Sequence, residues 1–490
     1  MKDNKMPFQP AGRRATWIAA FGLAAALAGT HAAAQPTWGS YETPFAVDSP
    51  WNSRPVQPKF GDFVIPKSDY YPSVAEGTWS TGVFLAGSGD GPVTVVGLPN
   101  SKGVWDPDAE TYRPQVVIPR WPAGVVPAAG SDGHADIVDP IMGVIHSFNK
   151  LSQNAEGQWI ASQYAWTRLD GRGWGDPAHY MQGARAAGVA TSGGLMRKHE
   201  INDGQSMYRH ALTMSLTYNG LSPKPTYVFP ATSADRDAAT TNTGQIPEGA
   251  LVMLPPTFDV TRLSTASLRK VAETLKTYGA YVVDRNRGTP FVIYVESGSG
   301  FNLHSGGWNT AAANDLERIR QALRQVVSVD GWIDGDDQSY VRMSGLNRLS
   351  MRGPWSLQSG TVPGAFDTWQ QAVVFPPTTT ATVMVNGSGR SMQPVPWAIP
   401  VAGQSYRLTA ITTGGGRLRF QLRDKGSGKT VFDSNELGND QIADIVWPSG
   451  SVTPVVTAIS GVGGESTVRG ELREANGGTV ARGEMRSAKR

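Results

Sequence analysis

Glycine and proline interrupt this chain so often that little room is left for long helices. There are 57 Gly and 34 Pro among 490 residues. Proline lacks the N–H a helix needs, and glycine raises the entropy cost of fixing one. Charged residues make up 17% of the chain and apolar residues 40%. Such a mix favours many short strands bounded by turns. A length of 490 residues implies about two to four domains at roughly 100 to 200 residues each.

The spacing of the apolar residues supports that expectation. Three runs, 134–138, 144–148 and 159–165, separated by Asp139-Pro140 with Gly143 and by 154–157, read as a β-meander. In the run 210–217, His210, Leu212, Met214 and Leu216 alternate with Ala211, Thr213, Ser215 and Thr217, as a strand requires. Two helices are readable. Leu268, Val271 and Leu275 recur at helical spacing before Gly279, and so do Leu316, Ile319, Leu323 and Val326, with Asn314 or Asp315 as the expected N-cap. Residues 376–382, a Pro/Thr run, read as an extended linker. The expected organisation is mainly β: a β-sandwich or jelly-roll-like catalytic region over 35–375 with a few helices, then a small antiparallel β-sandwich over 383–490 as a candidate carbohydrate-binding domain.

The first 34 residues combine a basic start, an apolar stretch over 17–28 and the small-residue end Ala32-Ala33-Ala34. This is the pattern of a cleavable secretory signal, of the general or, through Arg13-Arg14, the twin-arginine type. A secreted or periplasmic protein is expected, and no later segment reaches the roughly 18 apolar residues of a membrane span. The formal charge of +3 arises in that leader, so the remainder is neutral and lacks the positive field that drives nucleic-acid binding. Cysteine is absent, which excludes disulfides, thiol nucleophiles and Cys-ligated metals. No cofactor is required by the sequence. A divalent metal held by His134, His210 and an Asp is the one metal site the residue types would allow.

Two stretches concentrate residues able to do chemistry. In the first, 132–140, a strand beginning at Asp132 would aim Asp132, His134 and Asp136 the same way, each about 7 Å from the next. Two carboxylates beside an imidazole suit acid–base work. The bland alternative makes Asp132 and Asp139 turn residues and His134 a satisfied interior histidine. In the second stretch, His210 opens the apolar face of its strand, where an imidazole must find a partner or line a pocket. Glu200, ten residues earlier, could approach it, and Arg197 could hold an anionic group of a substrate. Phosphate-loop, His-Glu-x-x-His and Gly-x-Ser-x-Gly signatures are all absent. Several of the 15 Trp, Trp174 among them, stand beside Gly or Pro in loops. Loop aromatics offer flat faces on which sugar rings stack, although buried Trp is the commoner fate.

These motifs resemble a known pattern. Asp132-x-His134, Gly194-Leu195 with Arg197 and Glu200, Gly204, His210-Ala211-Leu212, Ile246-Pro247-x-Gly249 with Leu254-Pro255, and Tyr278-Gly279 leading to Asp284 are similar to those of a broad family of secreted bacterial proteins, often actinobacterial and mostly hypothetical. The resemblance spans residues 45–330 and implies positions, not a reaction. Other residues stand in that pattern at the places of Asp136 and Asp139, so the resemblance favours Asp132, His134, Glu200 and His210 as the catalytic set.

The expected function is degradation of a polysaccharide. As a glycoside hydrolase the chain would use Glu200 and Asp132 as paired acid and base, with His134 and His210 orienting them. As a polysaccharide lyase it would use His134 or His210 to take the proton beside a uronate carboxylate, Tyr208 to protonate the leaving oxygen and Arg197 to neutralise the carboxylate. A third reading is a non-catalytic glycan-binding or cell-surface protein whose histidines are structural.

Overall fold

A computed structural model describes residues 37–387 and 395–475, and the expected leader lies outside them. The chain is mostly strand, in mixed and antiparallel sheets with few helices. Among the described residues no helix is long and apolar enough to cross a membrane.

A seven-stranded mixed sheet organises the first part. Its order is Lys59–Phe60, Arg324–Ser328, Leu251–Met253, Ala280–Asn286, Leu212–Thr217, Phe291–Tyr294 and Ser73–Ala75. The strand Leu212–Thr217 runs parallel to Ala280–Asn286 on one side and antiparallel to Phe291–Tyr294 on the other. Its Leu212, Met214 and Leu216 enter the same apolar core as Leu268, Val271 and Leu275 of the helix Ala266–Thr277 and Leu316 and Ile319 of the helix Thr310–Ala322. The alternation read in the sequence therefore selects the helix-facing side.

Local chemistry fixes the helix ends. The Thr265 hydroxyl accepts from the Leu268 N–H, and at the far end Gly279 turns the chain at φ +77°. A Cβ at Gly279 would stand 2.8 Å from the Val252 carbonyl oxygen, so only glycine lets the helix hand over directly to Ala280–Asn286. The second helix begins earlier than its spacing suggests. Asn309 caps it by accepting from the Ala312 N–H at 3.1 Å, Leu323 ends it, and Val326 belongs to the strand that follows.

The opposite face of the sheet packs on a second layer. Tyr281, Val283 and Tyr294 share a core with Val83, Val138, Ile145, Trp51 and Trp174. That layer is a six-stranded sheet containing Gly82–Leu85, Ala135–Asp139, Val144–Asn149 and Gln163–Arg168, backed by a four-stranded sheet. The meander departs from expectation in its third run, which breaks at Ser162. There the Ser162 N–H and hydroxyl turn to the Asn149 carbonyl, and Trp159–Ala161 crosses to the four-stranded sheet to pair with Val93–Gly97.

Two five-stranded antiparallel sheets form the C-terminal β-sandwich. Tyr406, Leu408 and Ala410 of Ser405–Thr413 and Leu418, Phe420 and Leu422 of Arg417–Asp424 alternate into its core. The run 376–382 is not a linker but lies inside this unit, joining Ala372–Phe375 of one sheet to Val383–Asn386 of the other. Thr378 donates to the Gly461 carbonyl at 3.1 Å, and the Thr382 N–H donates to the Ser460 hydroxyl at 2.8 Å. Because Ser356–Ser359 and Ala365–Asp367 also belong to the sandwich, the unit begins well before 383.

One buried carboxylate bolts the six-stranded sheet to the loop that carries Thr191 and Ser192. Asp136 accepts from the Ser147 hydroxyl, the Thr191 hydroxyl and the Ser192 N–H, each at 2.7 Å. Replacing it with Ala strands three interior donors at about 1–3 kcal/mol each. Asp136→Ala is expected to lose at least about 3 kcal/mol of stability on that basis, and Asp136→Asn less. Equilibrium urea unfolding of the two variants beside the parent measures this, and an unmoved midpoint would contradict it.

Candidate functional site

Asp132 and His134 stand just before the strand Ala135–Asp139, not within it. Gly133 at φ +45° turns the chain against the neighbouring hairpin, where the Lys150 N–H donates to the Asp132 carbonyl at 2.6 Å. The common face expected for Asp132, His134 and Asp136 is thereby lost. Asp136 serves the bolt to Thr191 and Ser192, and Asp139 accepts from Arg120 through both oxygens, at 3.0 and 2.9 Å, and from the Ile141 and Met142 N–H groups. His134 is buried. The Asn149 amide N–H faces its Nε2 at 3.3 Å, because Asn149 Oδ1 is occupied by the Ser162 hydroxyl, and Nδ1 has no partner. Burial first, and then the nearby Arg185 guanidinium, hold this imidazole well below its ordinary pKa, so it is neutral.

Arg185 brings the other layer to the same place. Its side chain is buried, donates to Asp284 Oδ2 at 3.2 Å through Nη1, and lies 4.1 Å over the Tyr294 ring. Its Nε and Nη2 have no partner. The loop that carries it is pinned to the seven-stranded sheet by the Ala187 N–H on the Val283 carbonyl. Val283 is the extra residue of a bulge opposite Met214 and Ser215, and the bulge sets Asp284 beside Ser215. Burial pushes the Asp284 carboxyl up to about 6. Arg185 opposes the shift, and Asp235 and Asp132 add to it. Tyr294 is pushed up to about 12, chiefly by burial, with Arg185 and a hydrogen bond from Ser215 opposing.

A second carboxyl pair adjoins Asp284. Glu248 is buried, its backbone held by the Val228 N–H and the Thr226 carbonyl, and its Oε1 accepts from the Asp235 N–H at 3.2 Å. Burial, then Asp235 and Asp284, drive its pKa well above the ordinary value. Half-buried Asp132 is an electrostatic neighbour of half-buried Asp284 and of buried Tyr294, and buried Arg185 neighbours both Asp284 and His134.

Glu200 and His210 do meet, but elsewhere. His210 Nε2 donates to Glu200 Oε2 at 3.2 Å and Nδ1 donates to the Ala211 carbonyl at 2.9 Å, so the ring is a charged donor at both nitrogens. Burial lowers the His210 pKa, but Glu200 outweighs it and the net shift is upward. Burial likewise raises Glu200, and His210 outweighs it downward. The pair lies before the strand Leu212–Thr217, whereas Asp284 adjoins Ser215 near that strand's other end, some 16 Å away at about 3.3 Å per residue. The pairing of Glu200 with Asp132 is corrected accordingly. Among the described residues no three His, Cys, Asp or Glu side chains gather to hold a metal, so His134, His210 and an Asp do not form the expected site.

The expected binding residues Arg197, Tyr208 and Trp174 are all buried. Arg197 donates to Glu296 Oε2 and the Tyr41 carbonyl, both at 2.9 Å, which commits it within the interior. Tyr208 is buried with Lys270 4.5 Å from its ring centroid. Trp174 is fully buried, stacked on Trp51 at 5.3 Å with its N–H on the Ala187 carbonyl, so no sugar reaches its face. Arg185 and Tyr294 were not found from the sequence: the first sits in a run of small residues and the second in an ordinary strand. Asp284 carried a signal, since it is named in the motifs that resemble the secreted family, whereas Glu248 fills an unspecified position of Ile246-Pro247-x-Gly249.

No protein-family model matches this chain, and no curated protein sequence matches it. Solved structures align with about a quarter of it. The glycosylation associate protein (Gap123) complex from Streptococcus agalactiae aligns at 14% identity and TM-score 0.18, over 25% of this chain and 46% of its own. Accessory secretory protein 1,2 and 3 from Streptococcus pneumoniae aligns at 13% and 0.20, over 28% and 97%. The CBM22-1 xylan-binding domain from Paenibacillus barcinonensis aligns at 11% and 0.17, over 27% and 91%. The chain spans less than half the length of the first two structures it matches, 46% and 19%. Likenesses this slight assign neither fold nor activity.

Proposed function

We propose that this chain is a secreted carbohydrate-active enzyme that hydrolyses a glycosidic bond, with Asp284 as general acid and Asp132 as general base or nucleophile. The observation that carries this reading is the Asp284 carboxyl. Held near pKa 6 by burial, with half-buried Asp132 close enough to raise it further, it keeps its proton at a pH where an ordinary aspartate is ionised. Arg185 donates to it and is itself seated over the Tyr294 ring. Two carboxyls with one pKa raised are the minimum that acid–base glycoside cleavage requires.

A second reading rests on a different observation. The two unpartnered buried N–H groups of Arg185 beside a neutral His134 would suit a uronate carboxylate and the base that removes its α-proton, giving β-elimination. The experiment is incubation of the mature protein with neutral and uronate-containing polysaccharides, following reducing ends together with the absorbance of an unsaturated product. Reducing ends without absorbance support hydrolysis, and both together support elimination. Neither signal across the panel would overturn both.

Under the hydrolytic reading, Asp284→Asn and Asp132→Asn each lower kcat by about 10²–10⁴-fold, the usual worth of a positioned acid or base. The rate should also fall tenfold per pH unit above about 6, as Asp284 loses its proton, and Asp284→Asn should abolish that limb. A pH–rate profile that is flat from 5 to 8 would count against the assignment.

Glu200 and His210 should behave differently. The raised His210 contributes stability that is present below its ordinary pKa of 6.5 and lost as pH rises through its folded value. The lowered Glu200 contributes stability present above its ordinary 4.5 and lost as pH falls through its folded value. The pair therefore stabilises most between those two pH values. His210→Ala or Glu200→Gln should cost about 3 kcal/mol there and less at pH 9. Thermal melts across pH measure this, and a pH-independent difference would refute it.

A further inference from the structure

The segment 301–309 is built as a support for one exposed ring. Phe301 and Leu303 turn into the helix-side core, so the intervening Asn302 and the following His304 face outward. The Asn309 N–H, at the cap of the helix Thr310–Ala322, donates to His304 Nδ1 at 3.0 Å and fixes the ring. His304 in turn stacks on Trp308 at 4.7 Å and 6° between planes, while Tyr71 meets the indole edge-on at 5.4 Å. Trp308 is nonetheless 63% exposed and Tyr71 50%. An indole that packing alone governed would be covered, and this one is immobilised on one side and left open on the other.

Beside it lies a cavity of about 350 Å³ lined by Ser73, Val74, Glu76, Asn302 and His304. Its rim is rigid, because the Glu76 carboxylate accepts from the Gly298 and Gly300 N–H groups and the Ser299 hydroxyl. His304, with Nδ1 accepting, keeps Nε2–H as a donor when neutral. A flat apolar face with polar groups at its border matches a pyranose ring, whose C–H face stacks and whose equatorial hydroxyls reach outward. A purely apolar partner would leave those border groups unpaired.

We infer that Trp308, Tyr71 and His304 form a glycan-binding site distinct from the Asp284 site, holding a sugar unit by stacking at the edge of the seven-stranded sheet. This rests on the reading of the chain as carbohydrate-active. It lies one strand from Tyr294, since Ser73–Ala75 pairs with Phe291–Tyr294, but the cavity wall Val74 belongs to the helix-side core and Tyr294 to the other. The sheet therefore separates the two sites.

The test is affinity electrophoresis of the mature protein through gels holding each polysaccharide of the panel, with tryptophan fluorescence titration of whichever glycan retards it. Trp308→Ala should weaken binding at least tenfold, Tyr71→Ala several-fold and Trp308→Phe less than Trp308→Ala, with melting temperatures unchanged because the indole is exposed. Retardation unaffected by Trp308→Ala, or no retardation by any glycan, would overturn the site. Retardation that depends on Trp308 in a protein without cleavage activity would overturn the enzymatic reading while supporting this one.

Discussion

The strand Leu212–Thr217 is buried on both faces but is apolar on only one. The rest of the first part depends on how that conflict is met. Leu212, Met214 and Leu216 satisfy the helix side by ordinary packing. The other side holds Thr213, Ser215 and Thr217, and each buried hydroxyl needs a hydrogen bond. Thr217 accepts from the Gly288 N–H, and Ser215 accepts from the Asn286 amide and is an electrostatic neighbour of the Tyr294 phenol. Tyr294 then supports Arg185, which holds Asp284. The placement of Arg185 and Asp284 follows from a polar strand face that could not be left dry.

Much of the fold was legible because it is governed by local period and turn residues. The alternation over 210–217, the Gly279 turn and the strands of the sandwich core need only near neighbours in sequence. What failed needed distant ones. Glu200 and Asp132 look equally available in the chain, yet the parallel crossing of Ala280–Asn286 beside Leu212–Thr217 sends His210 to one end of the sheet and Asp284 to the other. Trp174, flanked by Gly173 and Gly175, has the sequence of a loop aromatic. Only the distant Trp51 and Tyr281 make its position an interior one.

The two histidines read as alike in the sequence are opposites in the fold. His210 faces a carboxylate and is charged, whereas His134 faces an arginine and an amide and is neutral. Their residue type carries no information about this. The neighbour supplied by another strand or loop decides whether burial favours or forbids the proton.

The sandwich has an unusual relation to the chain that precedes it. Its first strands come before the Pro/Thr run, and it is fastened to the first part by Arg352 on the Pro107 carbonyl and Glu110, by Gln371 on Asp108 and by Trp397 on the Ala231 carbonyl. A recombination event at the proline-rich segment would split a sheet instead of exchanging a module. Exchanging the C-terminal part on its own would also leave Pro107, Asp108 and Ala231 without the side chains that now bond to them.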